Sequence, residues 1–239
     1  MNEDIKKLAD IIKDSNNMVV MTGAGMDTES NIPDFRSKDG LWYKVDPAKV
    51  ATVEALHENY PLFHEFYSAR IKNMENITPH EGHYVLAELE KEGYIKSLAT
   101  QNISGLHAKA GSQNVYELHG NIRKIRCNEC NTSHSIEDFL EERNCKNCGK
   151  NALRPDIVLF GEMLPTITWQ NAIRDLERSD LLMVIGTSLQ VYPVNQFPYM
   201  TRGKTVYINM EGTRGYNFDI EIIGKAGEVL TELREILFK

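Results

Sequence analysis

Short apolar runs recur along the chain at 18–21, 95–99, 157–160, 181–185 and 205–208, too brief for helices and rich in β-branched residues. Between them lie longer stretches with apolar residues three and four apart, notably 80–92 and 164–178. Alternation of this kind predicts an α/β fold, a doubly wound parallel sheet with helices on both faces. Near the start, Ile5, Leu8, Ile11 and Ile12 share one side of an amphipathic helix that begins in the charged segment from Met1. Segments 32–80 and 121–153 interrupt the pattern, and together they predict a smaller second lobe. The expected organisation is a main domain of 1–31, 81–120 and 154–239, with a small lobe of 32–80 and 121–153.

Open parallel sheets bind ligands beyond the carboxyl ends of their strands. Here those ends carry Thr22-Gly23-Ala24-Gly25, Thr100-Gln101-Asn102, Gly161-Glu162, Gly186-Thr187-Ser188 and Asn209, a gathering of polar and glycine residues. A strand that runs into Gly23-Ala24-Gly25 has the form of a glycine turn delivering backbone N–H groups to a phosphate. Alone, that pattern is a weak indicator of nucleotide binding.

Charge and cysteine content narrow the picture. The 239 residues carry a formal net charge of −7, which disfavours nonspecific nucleic-acid binding and leaves basic protein segments as plausible partners. The N-terminus is no signal peptide and no apolar run approaches the roughly 20 residues that span a bilayer, so a cytoplasmic location is expected. All four cysteines fall in Cys127-x2-Cys130-x14-Cys145-x2-Cys148, a spacing that delivers four thiolates to one tetrahedral Zn²⁺. Two disulfides are the alternative, disfavoured by a cytoplasmic setting. Four sulfurs leave no open position for water, which makes the metal structural. The ribbon between the cysteines is too acidic for a phosphate-binding face.

After Gly25 the chain continues through Ile32-Pro33-Asp34-Phe35-Arg36, and this run closely resembles the cofactor loop of the sirtuins, the NAD-dependent protein-lysine deacylases. The resemblance extends over nearly the whole chain: Thr100-Gln101-Asn102-Ile103, Leu118-His119-Gly120, the four cysteines, Arg154-Pro155-Asp156-Ile157-Val158 with Phe160-Gly161-Glu162, Gly186-Thr187-Ser188-Leu189-Gln190-Val191-Tyr192-Pro193, and Ile208-Asn209 follow in the family's order. It implies a Rossmann-like NAD-binding domain beside a zinc-ribbon and helical lobe. It assigns catalysis to His119 and Asn102. Cofactor contacts fall to Gly23, Ala24, Gly25, Asp27, Thr28, Asp34, Phe35, Arg36, Gln101, Asn102, Ile103, Ser104, Gly186, Thr187, Ser188, Asn209, Met210, Glu211 and Ala226. Substrate contacts fall to Tyr67, Arg70, Val158, Phe160, Gly161, Glu162 and Val191.

Physical roles follow for several of these. With an unperturbed pKa near 6.5, His119 can take a proton from a ribose hydroxyl at neutral pH. The fork of donors on Arg36 suits a pyrophosphate, and Phe35 is placed by the family's pattern to shield the reacting ribose carbon. The implied reaction consumes NAD: the acyl-lysine oxygen attacks the ribose carbon bearing nicotinamide, and the products are nicotinamide, free lysine and O-acyl-ADP-ribose. The acylated peptide is expected to bind as an added strand between Gly161-Glu162 and Val191-Tyr192, on a monomer. ADP-ribosyl transfer or NAD glycohydrolysis, and a weakly catalytic NAD-binding protein, are the alternatives.

Departures from the family's pattern stand out. Asp27 occupies a position where Ser is usual and Ser104 one where Asp is usual, which puts nicotinamide capture in question. Asn31 and Ser37 stand where Gly is frequent. Finally, Phe66-Tyr67-Ser68-Ala69-Arg70 resembles the Tyr-x-x-Arg element of sirtuins that remove succinyl or malonyl groups. On a helix, Tyr67 and Arg70 share one face; the alternative is Arg70 paired with a nearby Glu and Tyr67 packed in the small lobe.

Overall fold

The computed structural model describes residues 3–38 and 40–239; Met1, Asn2 and Asp39 lie outside the described residues, so the N-terminal helix expected from Met1 is described from Glu3 onward. Nine strands are described: β1 (Met18–Thr22), β2 (Ile95–Thr100), β3 (Val115–Glu117), β4 (Gly120–Cys127), β5 (Ser133–His134), β6 (Leu153–Ile157), β7 (Leu181–Ile185), β8 (Lys204–Asn209) and β9 (Ile220–Ile223). Six form one parallel sheet in the order β3-β2-β1-β7-β8-β9. The chain winds outward from β1 in one direction and from β7 in the other, so the topological switch lies between these two strands.

Every residue of β1 and of β7 is buried, as a strand covered on both faces requires. Successive side chains point to opposite faces, and the two faces fill different cores. Met18 and Val20 join Ile5, Leu8, Ile12, Leu86, Leu89, Leu230 and Leu233 from the helices Glu3–Asp14, Glu81–Lys91 and Ala226–Leu237. Val19 and Met21 instead meet Ala172 and Leu176 of the helix Thr166–Glu177, with Phe197 and Tyr207. No helix among the described residues is long and apolar enough to cross a membrane.

A third core is built from Phe63, Tyr67 and Ile71 of the helix Tyr60–Asn73 together with Ile122, Ile125, Phe139, Leu153, Ile157 and Leu159. It packs against an antiparallel sheet of order β5-β4-β6. Here the structure corrects the reading of 157–160 as a strand of the main sheet. Ile157 ends β6 opposite Gly120; the Val158 amide donates to the His119 carbonyl, and Phe160 bridges to Thr52. The apolar run is shared among three different neighbours and forms no single strand.

Candidate active site

The switch point is where the two glycine turns meet. Beyond β1, the Gly23 amide donates to the Ile185 carbonyl at 3.0 Å and the Gly25 amide to the Gly186 carbonyl at 2.7 Å. A Cβ on Gly23 would fall 2.6 Å from the Thr187 Cβ, and one on Gly25 would fall 2.9 Å from the Gly186 Cα. Gly186 itself has φ +63°, and its Cβ would strike the Met26 amide at 2.3 Å. The glycines are thus demanded first by turn packing against turn, a reason different from the approach of a phosphate expected from sequence. Ala24 follows Gly23 on the short helix Ala24–Asp27.

Below the turn runs a buried polar network. The Thr22 hydroxyl donates to Thr100 Oγ1 at 2.8 Å and lies 2.9 Å from His107 Nε2. Thr100 Oγ1 also accepts from the Asn102 amide at 3.0 Å, and Asn102 Nδ2 donates to the Gly23 carbonyl at 2.9 Å. The large majority of buried polar groups are hydrogen-bonded, and these bonds lock the turn after β2 to the turn after β1. Asn102 is left with its side-chain oxygen free.

His119 follows β3 and is half-buried. Its Nδ1–H donates to the Gln101 carbonyl at 3.0 Å, since a carbonyl can only accept, and Nε2 therefore carries the lone pair. Burial lowers the His119 pKa from its ordinary value, against the opposing pull of the Gln101 carbonyl. The lowered pKa favours the neutral imidazole, whose unprotonated Nε2 can accept a proton.

Thr187 is a hub on the opposite wall. Its hydroxyl accepts from Gln101 Nε2 at 3.1 Å, while its carbonyl accepts from the Tyr207 hydroxyl at 2.8 Å. Asn209 Nδ2 donates to that same tyrosine oxygen at 2.6 Å. Gln101, Asn102, Thr187 and Asn209 are brought together; Ser188, Met210 and Glu211 lie exposed at the strand ends, and Ala226 is buried at the start of the last helix. Thr28 caps the Gly25 carbonyl at 2.8 Å. In the 32–38 loop, Asp34 spends one carboxylate oxygen on the amides of Arg36 and Ser37, at 3.1 and 2.9 Å. Phe35 stacks on Trp42 at 5.0 Å, and the Arg36 side chain is exposed. Ile103 packs on the third core, and its carbonyl accepts from the Ile122 amide.

These positions match a known pattern. The sequence model of the Sir2 family matches residues 23–193. The chain belongs to the Sir2 family. It is 43% identical over 210 residues to an NAD-dependent protein deacetylase of Oceanobacillus iheyensis, covering 86% of this chain and 89% of that one. It is 42% identical over 245 residues to NAD-dependent protein deacylase 2 of Archaeoglobus fulgidus, covering 98% and 96%. Among solved structures, a Sir2 homologue in complex with NAD superposes with TM-score 0.91 at 39% identity, over 98% of this chain and 93% of that one. Sir2Af2 bound to a myristoylated histone peptide superposes with TM-score 0.81 at 36% identity, over 99% and 97%.

Within this Sir2-family frame the two exchanged positions have distinct surroundings. Asp27 is buried, and its Oδ1 lies 3.1 Å from His83 Nε2. The His83 ring packs between those of His80 and His107, at 4.4 and 4.8 Å. Burial, with the neighbouring His83 and His80, holds the His107 pKa well below its ordinary value. Ser104 is buried as well, and its hydroxyl accepts at 3.3 Å from the amide of Leu106, the first residue of a short helix whose N-cap is Gly105. Asn31 adopts φ +63°, the left-handed conformation for which asparagine is the best substitute for glycine.

On the substrate side, Tyr67 and Arg70 lie on one helix, three residues apart. Tyr67 is buried and its pKa is pushed up to about 12, by burial against the opposing charges of Arg70 and Arg154. The half-buried Arg70 guanidinium sits 5.5 Å from the Phe35 ring and 5.7 Å from the Phe66 ring, and burial lowers its pKa. No carboxylate among the described residues pairs with Arg70, so the glutamate partner offered as an alternative is not there. The Glu162 carboxylate turns inward to form a two-pronged pair with Arg154, at 2.6 and 3.0 Å. Val158 and Val191 are half-buried, Phe160 is exposed, and Gly161 takes φ +93°.

The four cysteines place their sulfurs within 4.8 Å of one another, with Cys127–Cys148 at 3.6 Å and Cys130–Cys145 at 3.5 Å. A disulfide needs about 2.05 Å, whereas four thiolates about 2.3 Å from a tetrahedral metal stand about 3.8 Å apart. The donor set fits a metal ion. Sequence reasoning named Thr22 and Arg154 within motifs without giving either a role, and it missed His83 and His107. Only His83, three residues after His80 on a helix that faces the glycine turn, carried a signal, and it needed the structure to connect it with Asp27.

Proposed function

We propose that this protein is an NAD-dependent protein-lysine deacylase in which His119 is the general base. One observation carries the reading. A neutral imidazole, its tautomer fixed by the Gln101 carbonyl, keeps Nε2 unprotonated beside the Thr100-Gln101-Asn102 turn, whose side chains reach Thr187 and the Gly23 carbonyl. The donor set fits the cofactor: uncharged side chains for ribose hydroxyls at Gln101, Asn102, Ser188 and Asn209, and one exposed guanidinium, Arg36, for a pyrophosphate. When bound, NAD supplies an electrophilic ribose carbon and the hydroxyls that receive the acyl group.

The chain's own residues do the rest. His119 Nε2 takes a proton from a hydroxyl held in front of it, and needs no protonation change at neutral pH to do so. Asn102, pinned through Nδ2, offers its free side-chain oxygen to orient a water or hydroxyl. Phe35, backed by Trp42 and Arg70, closes the crevice against bulk water. The acylated peptide lies as an added strand between 158–162 and 191–192, where backbone groups do the recognising. One structural Zn²⁺ held by Cys127, Cys130, Cys145 and Cys148 stabilises the smaller lobe of 32–80 and 121–153. The enzyme works as a cytoplasmic monomer.

The acyl pocket extends this reading. A buried phenol, and a guanidinium beside Phe35 that has no carboxylate partner among the described residues, make a costly arrangement unless an anionic group completes it. Succinyl- or malonyl-lysine brings a distal carboxylate that Arg70 can bind through charge-assisted hydrogen bonds. Kinetics with acetyl- and succinyl-lysine peptides test this. Arg70→Met is expected to lose desuccinylation selectively while deacetylation survives; equal loss of both, or no desuccinylation by the unmodified enzyme, assigns Arg70 a purely structural part.

A further inference from the structure

We propose that His134 is a positioning residue of the metal centre, which donates a hydrogen bond from Nε2–H to the Cys145 thiolate and so slows release of the metal. The inference rests on the reading of the cysteines as a zinc site and adds a residue outside the four ligands. Nε2 of His134 lies 3.3 Å from Cys145 Sγ. A metal-bound thiolate has no proton to give, so the imidazole nitrogen must be the donor. The ring is not a surface side chain that drifts past a sulfur: it is 1% exposed, on β5, opposite Ile125 of β4.

Its orientation is set from the other side. Nδ1 lies 3.4 Å from Asp138 Oδ2, four residues on; a carboxylate can only accept, so with Nε2–H directed at the sulfur the ring carries a hydrogen on both nitrogens. Asp138 is itself held by the Ser135 amide at 3.3 Å in a capping box, and by Arg143 Nη1 at 2.9 Å. Arg143 also pairs with Glu141. A carboxylate, an imidazole and a metal-binding sulfur thus stand in line, an arrangement in which the outer partner orients the ligand and tunes its donation. The Asn147 amide reaches the same sulfur at 3.4 Å. Both donors converge on buried Cys145, while Cys148 is exposed. Four thiolates around one divalent cation leave a net negative centre, and N–H donors offset that charge without competing for the metal. Histidine at 134 is therefore expected to hold Cys145 as the firm side of the site.

The test uses the purified full chain, loaded with zinc or with cobalt, and three variants. His134→Phe keeps a ring in the pocket and removes the donor; His134→Gln returns a side-chain N–H; His134→Met fills the volume if the phenyl variant does not fold. Zinc transfer to an excess of a colorimetric chelator is expected to be about 10–100-fold faster in the donorless variants, the range for loss of an outer partner of a metal ligand. It is expected to return toward the parent rate in His134→Gln. In the cobalt-loaded protein, the thiolate-to-metal charge-transfer band is expected to move to lower energy in the donorless variants and back in His134→Gln. A residue that only packs would change melting and leave that band in place. Equal release rates and an unmoved band across all variants overturn the role of His134. An unmodified protein that binds neither metal overturns the zinc reading itself, and this proposal with it.

Discussion

Removing the carboxylate of Glu162 tests how the substrate edge is held. Arg154 is wholly buried, and among the described residues its guanidinium has one counter-charge, Glu162, whose side chain is 24% exposed. The rest of the guanidinium bonds to neutral oxygens: the Ile157 carbonyl at 2.6 Å, Asn128 Oδ1 at 3.3 Å and the Pro155 carbonyl at 3.3 Å. Glu162 Oε2 accepts in addition from the Leu159 amide at 2.8 Å. Burial raises the Glu162 pKa, but the Arg154 and Leu159 bonds outweigh it and hold the group below its ordinary value. Breaking a buried pair from one side costs about 3–5 kcal/mol, because the remaining charge is stranded. Partial exposure of Glu162 places Glu162→Ala at the low end, about 3 kcal/mol. For a chain of this size that lowers Tm by about 6–12 °C. Glu162→Gln, which keeps an acceptor, should lose roughly half as much. The sign with pH follows from the depressed pKa: the stabilisation is present above the unfolded carboxyl value and is lost as pH falls through the folded one. Thermal melting of the metal-loaded protein is the assay, paired with KM for an acyl-lysine peptide, which should rise because residues 158–162 form one side of the proposed peptide site. A Glu162→Ala protein that melts within about 2 °C of the parent with unchanged peptide KM would refute the reasoning.

Other outcomes follow from the same geometry. His119→Ala should keep its fold and metal yet lose at least about a hundredfold in turnover; in the unmodified enzyme the acid limb of kcat/KM should lie below the ordinary histidine value, because burial lowers the His119 pKa, and a limb above it would contradict that assignment. Cys127→Ala, or chelation of the metal, should lower Tm and activity together, whereas a metal-free protein with unchanged melting would dismiss a structural role. Nicotinamide exchange should be weak with Ser104 in place of an aspartate and should strengthen in Ser104→Asp; potent inhibition of the unmodified enzyme by micromolar nicotinamide would count against it.

Most of the site was legible before any coordinates, because it is written in local motifs at strand ends. Thr22-Gly23-Ala24-Gly25, Thr100-Gln101-Asn102 and Gly186-Thr187 announce themselves by polarity after an apolar run, and the central strands by burial on both faces. What escaped is long-range. β3 and β9 are edge strands of only three and four residues, too short for an apolar pattern to stand out. In the apolar pattern, though not in the family motif, strand β6 was hidden by a buried cation: Arg154 reads as a surface residue until Glu162 is folded onto it. The apolar run beginning at Ile157 then drew the strand to the wrong place and the wrong sheet. A second reason for the glycines escaped on the same ground, since the contact of Gly25 with Gly186 joins residues more than 150 positions apart. Asp27 was noticed as unusual, but nothing in its neighbourhood along the chain names His83 as its partner.

The central claim is that a neutral His119 in the switch-point crevice directs acyl transfer from lysine to NAD. Mass spectrometry of the products formed from NAD and an acetyl-lysine peptide tests it most directly. The account predicts one nicotinamide and one O-acetyl-ADP-ribose for each lysine freed, with none of the three formed at a comparable rate by His119→Ala. Free acetate with NAD left intact, ADP-ribose attached to the peptide, or ADP-ribose formed while the lysine stays acetylated would contradict it.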